Sequence, residues 1–245
     1  LVRAGRGLVP TPRAVELRDP VRQIVDEAGA VLRPEDHIDL GKLVRTYTLR
    51  TSDGFVESFG PRLLARVADD APGVRLFFLH KLDKDSTPLR DGRVDLETGV
   101  IEETTGPEVR SQALFRDRLV GVVREGHLLS HGAVTAPAYL KAIHVVVSRS
   151  GVEDGAVDNP FLPPGTRRVV KTIVSGFSAA LSLVRGSDLV ATVPERHTQN
   201  LREGLITFPL PLPSQAFTIS MLWHPRMDSD PAHRWLRDCV RKVCT

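Results

Sequence analysis

Residues 44–81 read VRTYTLRTSDGFVESFGPRLLARVADDAPGVRLFFLHK, and they contain two apolar segments on either side of an amphipathic one. The apolar segment from Val44 to Leu49 predicts a strand, and the polar residues 51–54 follow it as a corner. From Phe55 to Val67 the apolar residues recur at helical spacing. After a turn, Arg75 to His80 predict a second buried strand. The stretch therefore predicts one βαβ unit of an α/β protein.

Polar side chains end both strands of this unit. Thr51, Ser52 and Asp53 follow the first strand, and His80 and Lys81 end the second. In open α/β sheets, ligands lie beyond the carboxyl ends of the strands, where helix N-termini present free N–H groups. The sequence therefore predicts a site for a small polar ligand, such as a carboxylate, with Ser52 or Asp53 as the helix N-cap. The alternative is that these residues only cap the helix and cover the surface.

Composition narrows the class of protein. The 245 residues, 41% of them hydrophobic, can form one large domain or two small ones. A net charge of +3 is too small to indicate nucleic-acid binding by itself. No apolar run is long enough to cross a membrane, and no signal peptide is recognisable. Two cysteines, Cys239 and Cys244, indicate no disulfide framework, so we expect a cytoplasmic protein.

No motif predicts a cofactor or a metal. His127 and His131 have the spacing of helical zinc ligands, but leucines stand where a metalloprotease needs its glutamate. Gly126 and Gly132 flank the pair and predict a loop. We therefore expect neither a metal nor a cofactor.

The first ten residues, LVRAGRGLVP, place two apolar arms around a glycine turn and predict a β-hairpin. Arg3 and Arg6 lie near its tip, where they suit a nucleic-acid phosphate backbone. A lone GxG motif is a poor phosphate-loop signal, because the strand and helix of such a loop are missing.

Residues 11–33 predict a helix with a coiled-coil seam. Its apolar residues alternate at three- and four-residue steps, and they are Ala14, Leu17, Val21, Ile24, Ala28 and Val31. We expect this stripe to pair with a second copy of the chain, in preference to packing against the chain's own core. Pro20 should kink the helix or make Asp19 a second N-cap. Residues 34–42 predict a linker.

The remaining chain predicts a second lobe and a return to the first. Residues 114–123 are long enough for a strand that leaves one sheet and enters another, which predicts a hinge. A second βαβ unit follows over residues 168–193, with its own ligand-facing corner at residues 175–178. Pro194 should open a helix that Gly204 ends. A strand over residues 215–223 and a final helix from Asp230 complete the pattern.

A serine hydrolase is an alternative that the sequence weakly supports. Ser178 lies between a strand and a helix, where such enzymes keep their nucleophile, and Asp188 and His224 follow in hydrolase order. The second glycine of the nucleophile motif is absent, and no glycine-rich oxyanion segment precedes it. We therefore do not expect an enzyme.

Several segments, in order along nearly the whole chain, resemble the LysR-type transcriptional regulators. They are residues 5–14 (GRGLVPTPRA), 71–74 (APGV), 91–95 (DGRVD), 122–127 (VVREGH) and 186–194 (GSDLVATVP). The resemblance implies a DNA-binding regulator with two Rossmann-like lobes of periplasmic-binding-protein type II architecture, preceded by a β-hairpin wing and a long linker helix. A solute-binding protein of a transport system shares the lobes and remains an alternative.

The resemblance also implies a domain plan and a site. The expected domains are a wing of a winged helix-turn-helix domain at 1–10, a dimerisation helix at 11–33, a hinge linker at 34–42, lobe I at 43–117 and 219–245, and lobe II at 118–218. The expected effector, a carboxylate or an aromatic compound, would lie between the lobes. Its contacts by position are Ser52, Asp53, Phe55, His80, Leu82, Val100, Phe177, Ser178 and Val193. Promoter DNA would bind through the helix-turn-helix domain of a homodimer or homotetramer, with no membrane involved.

Overall fold

The computed structural model describes residues 2–4, 7–32, 38–81, 85–101, 105–148 and 163–245. The chain forms two compact units, Leu1–Ile38 and Asp39–Thr245. Their boundary falls within the predicted linker at 34–42. No helix in the described part of the chain is long and apolar enough to cross a membrane.

The first unit contains a hairpin and two helices. Strands β1 (Val2–Ala4) and β2 (Gly7–Val9) pair antiparallel, which confirms the predicted hairpin. Helix α1 (Pro12–Glu16) has Thr11 as its N-cap, whose side-chain oxygen accepts a hydrogen bond from the Ala14 N–H. Helix α2 spans Arg18–Leu32.

The predicted helix over residues 11–33 is interrupted at one point, in agreement with the kink expected from Pro20. The two helices are separated at Leu17, three residues before Pro20. Proline has no N–H to bond to the carbonyl of Glu16, and its ring crowds that carbonyl, so the interruption falls one turn earlier. Asp19 is not an N-cap, because α2 already begins at Arg18 and Asp19 lies in its first turn.

The second unit consists of ten strands and five α-helices in the part that the structure describes. In chain order they are β3 (Arg45–Thr51), α3 (Asp53–Asp70), β4 (Val74–His80), α4 (Thr87–Asp91), β5 (Leu96–Gly99), β6 (Arg110–Asp117), β7 (Leu119–Arg124), α5 (Ala136–Lys141), β8 (Ile143–Val147), β9 (Val169–Val174), α6 (Phe177–Arg185), β10 (Leu189–Pro194), β11 (Leu205–Pro209), β12 (Phe217–Trp223) and α7 (Pro231–Cys244). Short 3-10 turns occur at Leu40–Lys42, Asn200–Arg202 and Pro225–Met227.

These strands form two five-stranded sheets. The sheet of lobe I has the order β4-β3-β5-β12-β6, with β3 parallel to β4 and β5, and β12 antiparallel to β5 and β6. The sheet of lobe II has the order β11-β7-β10-β8-β9. The α/β class with two lobes, as predicted from the sequence, is confirmed.

Each lobe has its own hydrophobic core. In lobe I, Tyr47, Leu49, Phe55 and Leu63 are buried, together with Leu236 of α7. In lobe II the core cluster is formed by Val120, Val122, Val145, Phe177, Ala180, Leu181, Val184, Ala191 and Val193. The apolar faces of α3 and α6 thus fix the N-terminus of each helix at the carboxyl edge of its sheet.

The chain passes between the lobes where a hinge was predicted. Strand β6 ends at Asp117 in the sheet of lobe I, and β7 begins at Leu119 in the sheet of lobe II. The predicted single strand over 114–123 is therefore two strands, interrupted at Arg118. Residues 210–216 connect the lobes a second time, before β12 begins at Phe217.

The predicted helix from Pro194 to Gly204 was wrong. The segment forms turns and the 3-10 turn at Asn200–Arg202. The Arg196 and His197 N–H groups donate to the Asp117 carboxylate. Because this side chain satisfies the backbone donors, the segment is held in turns. Strand β11, which follows Gly204, was not predicted.

Candidate functional site

Ser52 forms the corner at the carboxyl end of β3, which the sequence predicted to face a ligand. It is the N-cap of α3, and its hydroxyl accepts a hydrogen bond from the Phe55 N–H at 3.2 Å. The side chain is buried. The predicted capping role of Ser52 is confirmed, and Asp53 becomes the first residue of the helix, where a carboxylate interacts favourably with the helix dipole.

Asp53 joins the corners of the two lobes. Its Oδ2 accepts a hydrogen bond of 2.7 Å from the backbone N–H of Ser178, in the first turn of α6. Asp53 belongs to lobe I and Ser178 to lobe II. The structure therefore brings together the strand-end corners that the sequence predicted separately.

His197 lies at the centre of this junction, and sequence reasoning missed it. Its Nε2 is 2.6 Å from the Ser52 hydroxyl oxygen, and the residue is buried. Its ring centroid is 6.0 Å from that of Phe55, 6.1 Å from that of Phe115 and 6.3 Å from that of Phe177. The aromatic rings of both lobes thus meet around one imidazole.

Asp117 holds the backbone around His197 where the chain crosses between the lobes. Its carboxylate accepts backbone hydrogen bonds from Arg118 at 2.8 Å, Arg196 at 3.0 Å and His197 at 3.0 Å. Burial raises the pKa of the Asp117 carboxyl above its ordinary value, and the three N–H donors oppose that rise. Asp117 is thereby connected to Ser52 through His197.

A buried ionic cluster lies beside this corner. Glu97 of β5 contacts the Arg50 guanidinium at 2.5 Å and the Lys81 ammonium at 2.9 Å. All three side chains are buried. Lys81, predicted from the sequence to bind a ligand carboxylate, therefore already has an acidic partner in the chain.

The other predicted contacts occupy varied positions. The hydroxyls of buried Thr51 and Thr98 are hydrogen-bonded to each other. His80 and Val100 are half-buried near the ends of β4 and β5. Phe55 is fully buried. Val193 is also fully buried and packs within the core cluster of lobe II. Leu82 lies outside the described residues.

The seam predicted for self-association is accessible in the single chain. Leu17, Val21 and Ile24 are exposed by 39%, 53% and 63%. Ala14 is half-buried and Ala28 is exposed. Arg3 lies in β1, whereas Arg6 and the side chain of Val31 are outside the description.

The hydrolase residues have other partners. Asp188 is paired with Arg124 at 2.6 Å, and His224 Nδ1 accepts a hydrogen bond from the Arg226 N–H. Ser178 uses its N–H to bind Asp53. In the part of the chain that the structure describes, these contacts do not form a Ser-His-Asp triad.

Some of the missed residues had a sequence signal. Arg50 and Glu97 are charges within predicted apolar strands, a placement that indicates buried pairing. His197 and Asp117 had none, because their roles depend on a meeting of segments 80 residues apart.

Comparison with known proteins identifies the family. Residues 41–245 match the model of the LysR substrate binding domain. The chain is 29% identical over 243 residues to the transcriptional activator NagR of Ralstonia sp, covering 96% of this chain and 79% of that protein. It is 30% identical over 252 aligned residues to the transcriptional activator NahR of Pseudomonas putida, covering 100% and 82%.

Solved structures agree with this result. A probable transcriptional regulator from Pseudomonas aeruginosa is similar with a TM-score of 0.74 and 28% identity, over 98% of this chain and 81% of that one. The regulatory domain of the activator MexT, also from Pseudomonas aeruginosa, gives 0.69 and 27%, over 81% and 99%. Full-length BenM, at 0.63 and 17% identity over 95% and 78%, shows the same fold. The chain belongs to the LysR family of transcriptional regulators, and residues 41–245 are its effector-binding domain.

Proposed function

We propose that this regulator binds a small-molecule effector between its two lobes and that occupancy changes how it binds promoter DNA. The observation that carries the proposal is the meeting of the α3 and α6 N-termini at Ser52, Asp53 and Ser178. Both termini lie at carboxyl edges of their sheets, where α/β proteins bind ligands.

The proposed contact set follows from this placement. Ser52, Asp53 and Ser178 supply polar groups, the buried rings of Phe55 and Phe177 lie behind them, and His80 and Val100 lie at neighbouring strand ends. Of the two effector classes expected from the sequence, the aromatic compound agrees better with this set, because the Asp53 carboxylate disfavours a second negative charge beside it. The sequence also predicted contacts from Thr51, Lys81, Leu82 and Val193. Thr51 and Lys81 are bonded within lobe I and Val193 packs in the lobe II core, so we assign these three to the support of the site.

The proposed mechanism is a shift between lobe arrangements. An effector moves such an equilibrium only by its difference in affinity for the two states, about 1–3 kcal/mol in typical regulators. Two elements allow the lobes to move as units: Arg118 between β6 and β7, and residues 210–216. The first of these adjoins Asp117, which holds His197 and thereby reaches the effector corner.

DNA binding and assembly belong to the same proposal. We place promoter binding in the helix-turn-helix domain that accompanies effector-binding domains in this family, with Arg3 and Arg6 of the hairpin adding phosphate contacts. The exposed stripe on α1 and α2 would pair copies into a homodimer or homotetramer. The protein would act in the cytoplasm, without catalysis. A transport-associated solute-binding protein is disfavoured, because the matched relatives are transcriptional activators.

A reporter assay tests the proposal. The regulator and its promoter are placed upstream of a reporter gene, and phenols, benzoates and benzamides are screened for a change in output. Ser52→Gly removes the hydroxyl at little cost to capping, since glycine is an acceptable N-cap. We expect this variant to keep effector-free promoter binding and to need at least about tenfold more compound, a loss of about 1.4 kcal/mol. An unchanged response would contradict the proposed site.

A further inference from the structure

Helix α6 receives its N-terminal cap from the other lobe. The residue at its N-cap position is Gly176, which has no side chain to accept a hydrogen bond. The carboxylate of Asp53 instead accepts from the Ser178 N–H, one of the free donors of the first turn. Lobe I thus supplies the anion that a helix N-terminus attracts.

Two glycines make this contact possible. A Cβ at Gly176 would lie 2.6 Å from Asp53 Oδ2, so a side chain there would expel the carboxylate. A Cβ at Gly54 would lie 2.7 Å from the His197 carbonyl oxygen and 3.2 Å from Phe177 Cδ2. A glycine therefore lies on each side of the contact between the lobes, Gly54 in lobe I and Gly176 in lobe II.

The second carboxylate oxygen of Asp53 is an acceptor that forms no hydrogen bond within the described residues. This atom, Oδ1, is buried. Buried acceptors are normally satisfied, by the protein or by a bound molecule. Oδ1 lies beside the N-terminus of α6, as Oδ2 does. It is 3.5 Å from the position of a Cβ built at Gly176.

We propose that the Asp53 carboxylate takes the place of a bound anion at the N-terminus of α6. It thereby holds the two lobes together when no effector is bound.

The test measures lobe separation without any effector. Spin labels are attached at Asp69→Cys on α3 and Ser182→Cys on α6, both exposed positions, in the whole 245-residue chain. The native Cys239 and Cys244 are buried and leave the labelling selective. We expect Asp53→Ala to shift the distance distribution to larger values by about 2 Å or more. Asp53→Asn should shift it less, because its amide oxygen still accepts the hydrogen bond.

Acetate then tests whether the vacated position binds anions. In Asp53→Ala, acetate should restore part of the short-distance population, compared with chloride at the same ionic strength. The wild-type chain should not respond, because its own carboxylate is in place. Glu57→Ala, which removes an exposed carboxylate from the same helix, is the matched control and should leave both the distances and the acetate response unchanged.

Gly176→Ala tests the contact with Asp53 intact. Its backbone φ of −146° is open to alanine, so the variant should fold. Its Cβ should displace the carboxylate and lengthen the distance, with no rescue by acetate. An unchanged distance in Asp53→Ala or in Gly176→Ala would overturn the proposal, as would an opened Asp53→Ala chain on which acetate acts no differently from chloride. None of these outcomes depends on an effector, so they are separate from the reporter test of the proposed function.

Discussion

The Ser52 hydroxyl oxygen lies 2.6 Å from Nε2 of His197, and this hydrogen bond ties the cap of α3 to the segment that follows β10. The His197 N–H in turn donates to Asp117, the last residue of β6 before the crossing between lobes. A disturbance at Ser52 therefore has a path of two hydrogen bonds to the hinge.

His197→Ala should weaken both folding and effector response. Loss of a buried ring and of its bond to Ser52 should lower the free energy of unfolding by about 2 kcal/mol or more. His197→Gln keeps a polar group in place and should recover part of the effector response in the reporter assay. Denaturant unfolding measures the first effect. Equal reporter responses in the alanine variant and wild type would show that His197 has no part in sensing.

Glu97→Gln should be strongly destabilising. The substitution removes the buried negative charge that Arg50 and Lys81 contact, at a cost of about 3 kcal/mol. Glu108→Gln is the matched control, because Glu108 pairs with Arg90 at the exposed surface. Urea unfolding of both variants checks the difference. Similar midpoints for the two would contradict a structural role for the buried cluster.

Gly54→Ala should lower stability by about 1–3 kcal/mol, because its Cβ would press on the His197 carbonyl and the Phe177 ring. Gly186→Ala provides the control, since nothing lies within 4 Å of a Cβ built there. Thermal unfolding should distinguish the two variants. A Gly54→Ala protein as stable as the control would mean that the lobes approach less closely than described.

Acid should destabilise the effector-binding domain through His144. Burial lowers the pKa of the fully buried His144 imidazole to about 4, with the hydrogen bond to the Tyr139 carbonyl opposing this and Arg168 reinforcing it. Between the ordinary pKa of 6.5 and about 4, the unfolded chain binds a proton that the folded chain does not. Stability is therefore full above the ordinary pKa and falls as the pH drops through this window, by about 3 kcal/mol.

Denaturant unfolding at pH values across this window measures that slope. Burial also lowers the pKa of His233, which adds loss in the same direction. His144→Phe should flatten the pH dependence, whereas replacement of the exposed His131 by Gln should leave it unchanged. A slope that is identical in His144→Phe and wild type would exclude the buried imidazole as its source.

Ile24→Asp should reduce self-association. Ile24 is 63% exposed on α2 and belongs to the seam proposed to meet a second copy, where a carboxylate would be buried without a partner. Gln23→Asp introduces the same charge beside the seam and should leave the oligomer intact. Size-exclusion chromatography with light scattering reports the mass. A mass that both variants share with wild type would remove α2 from the interface.

The fold was predictable where local patterns decide it. Residues 44–81 predicted their strands and helix because apolar spacing and the Ser52 cap act within one segment. The starts of α1 and α7 were also predictable, because each has a capping residue followed by proline: Thr11 with Pro12, and Asp230 with Pro231. What failed depends on distant partners. The residues after Pro194 have N–H groups that bind Asp117, some 80 positions away, so no local pattern could predict their turns.

The candidate site divides in the same way. Ser52, Asp53, Phe177 and Ser178 were predicted, because strand-end corners of α/β units can be read from sequence. That Asp53 would cap the helix of the other lobe could not be predicted, because it requires the two corners to meet. His197 enters the site from a third segment for the same reason.

The most direct test of the account is the distance between spin labels at Asp69→Cys and Ser182→Cys, measured with and without a compound that changes reporter output. We predict that a half-saturating amount of the compound changes the distance distribution in the wild-type chain and changes it much less in Ser52→Gly at the same concentration, because the variant needs about tenfold more compound. A compound that controls the promoter while the wild-type distribution stays the same would contradict effector sensing by lobe movement.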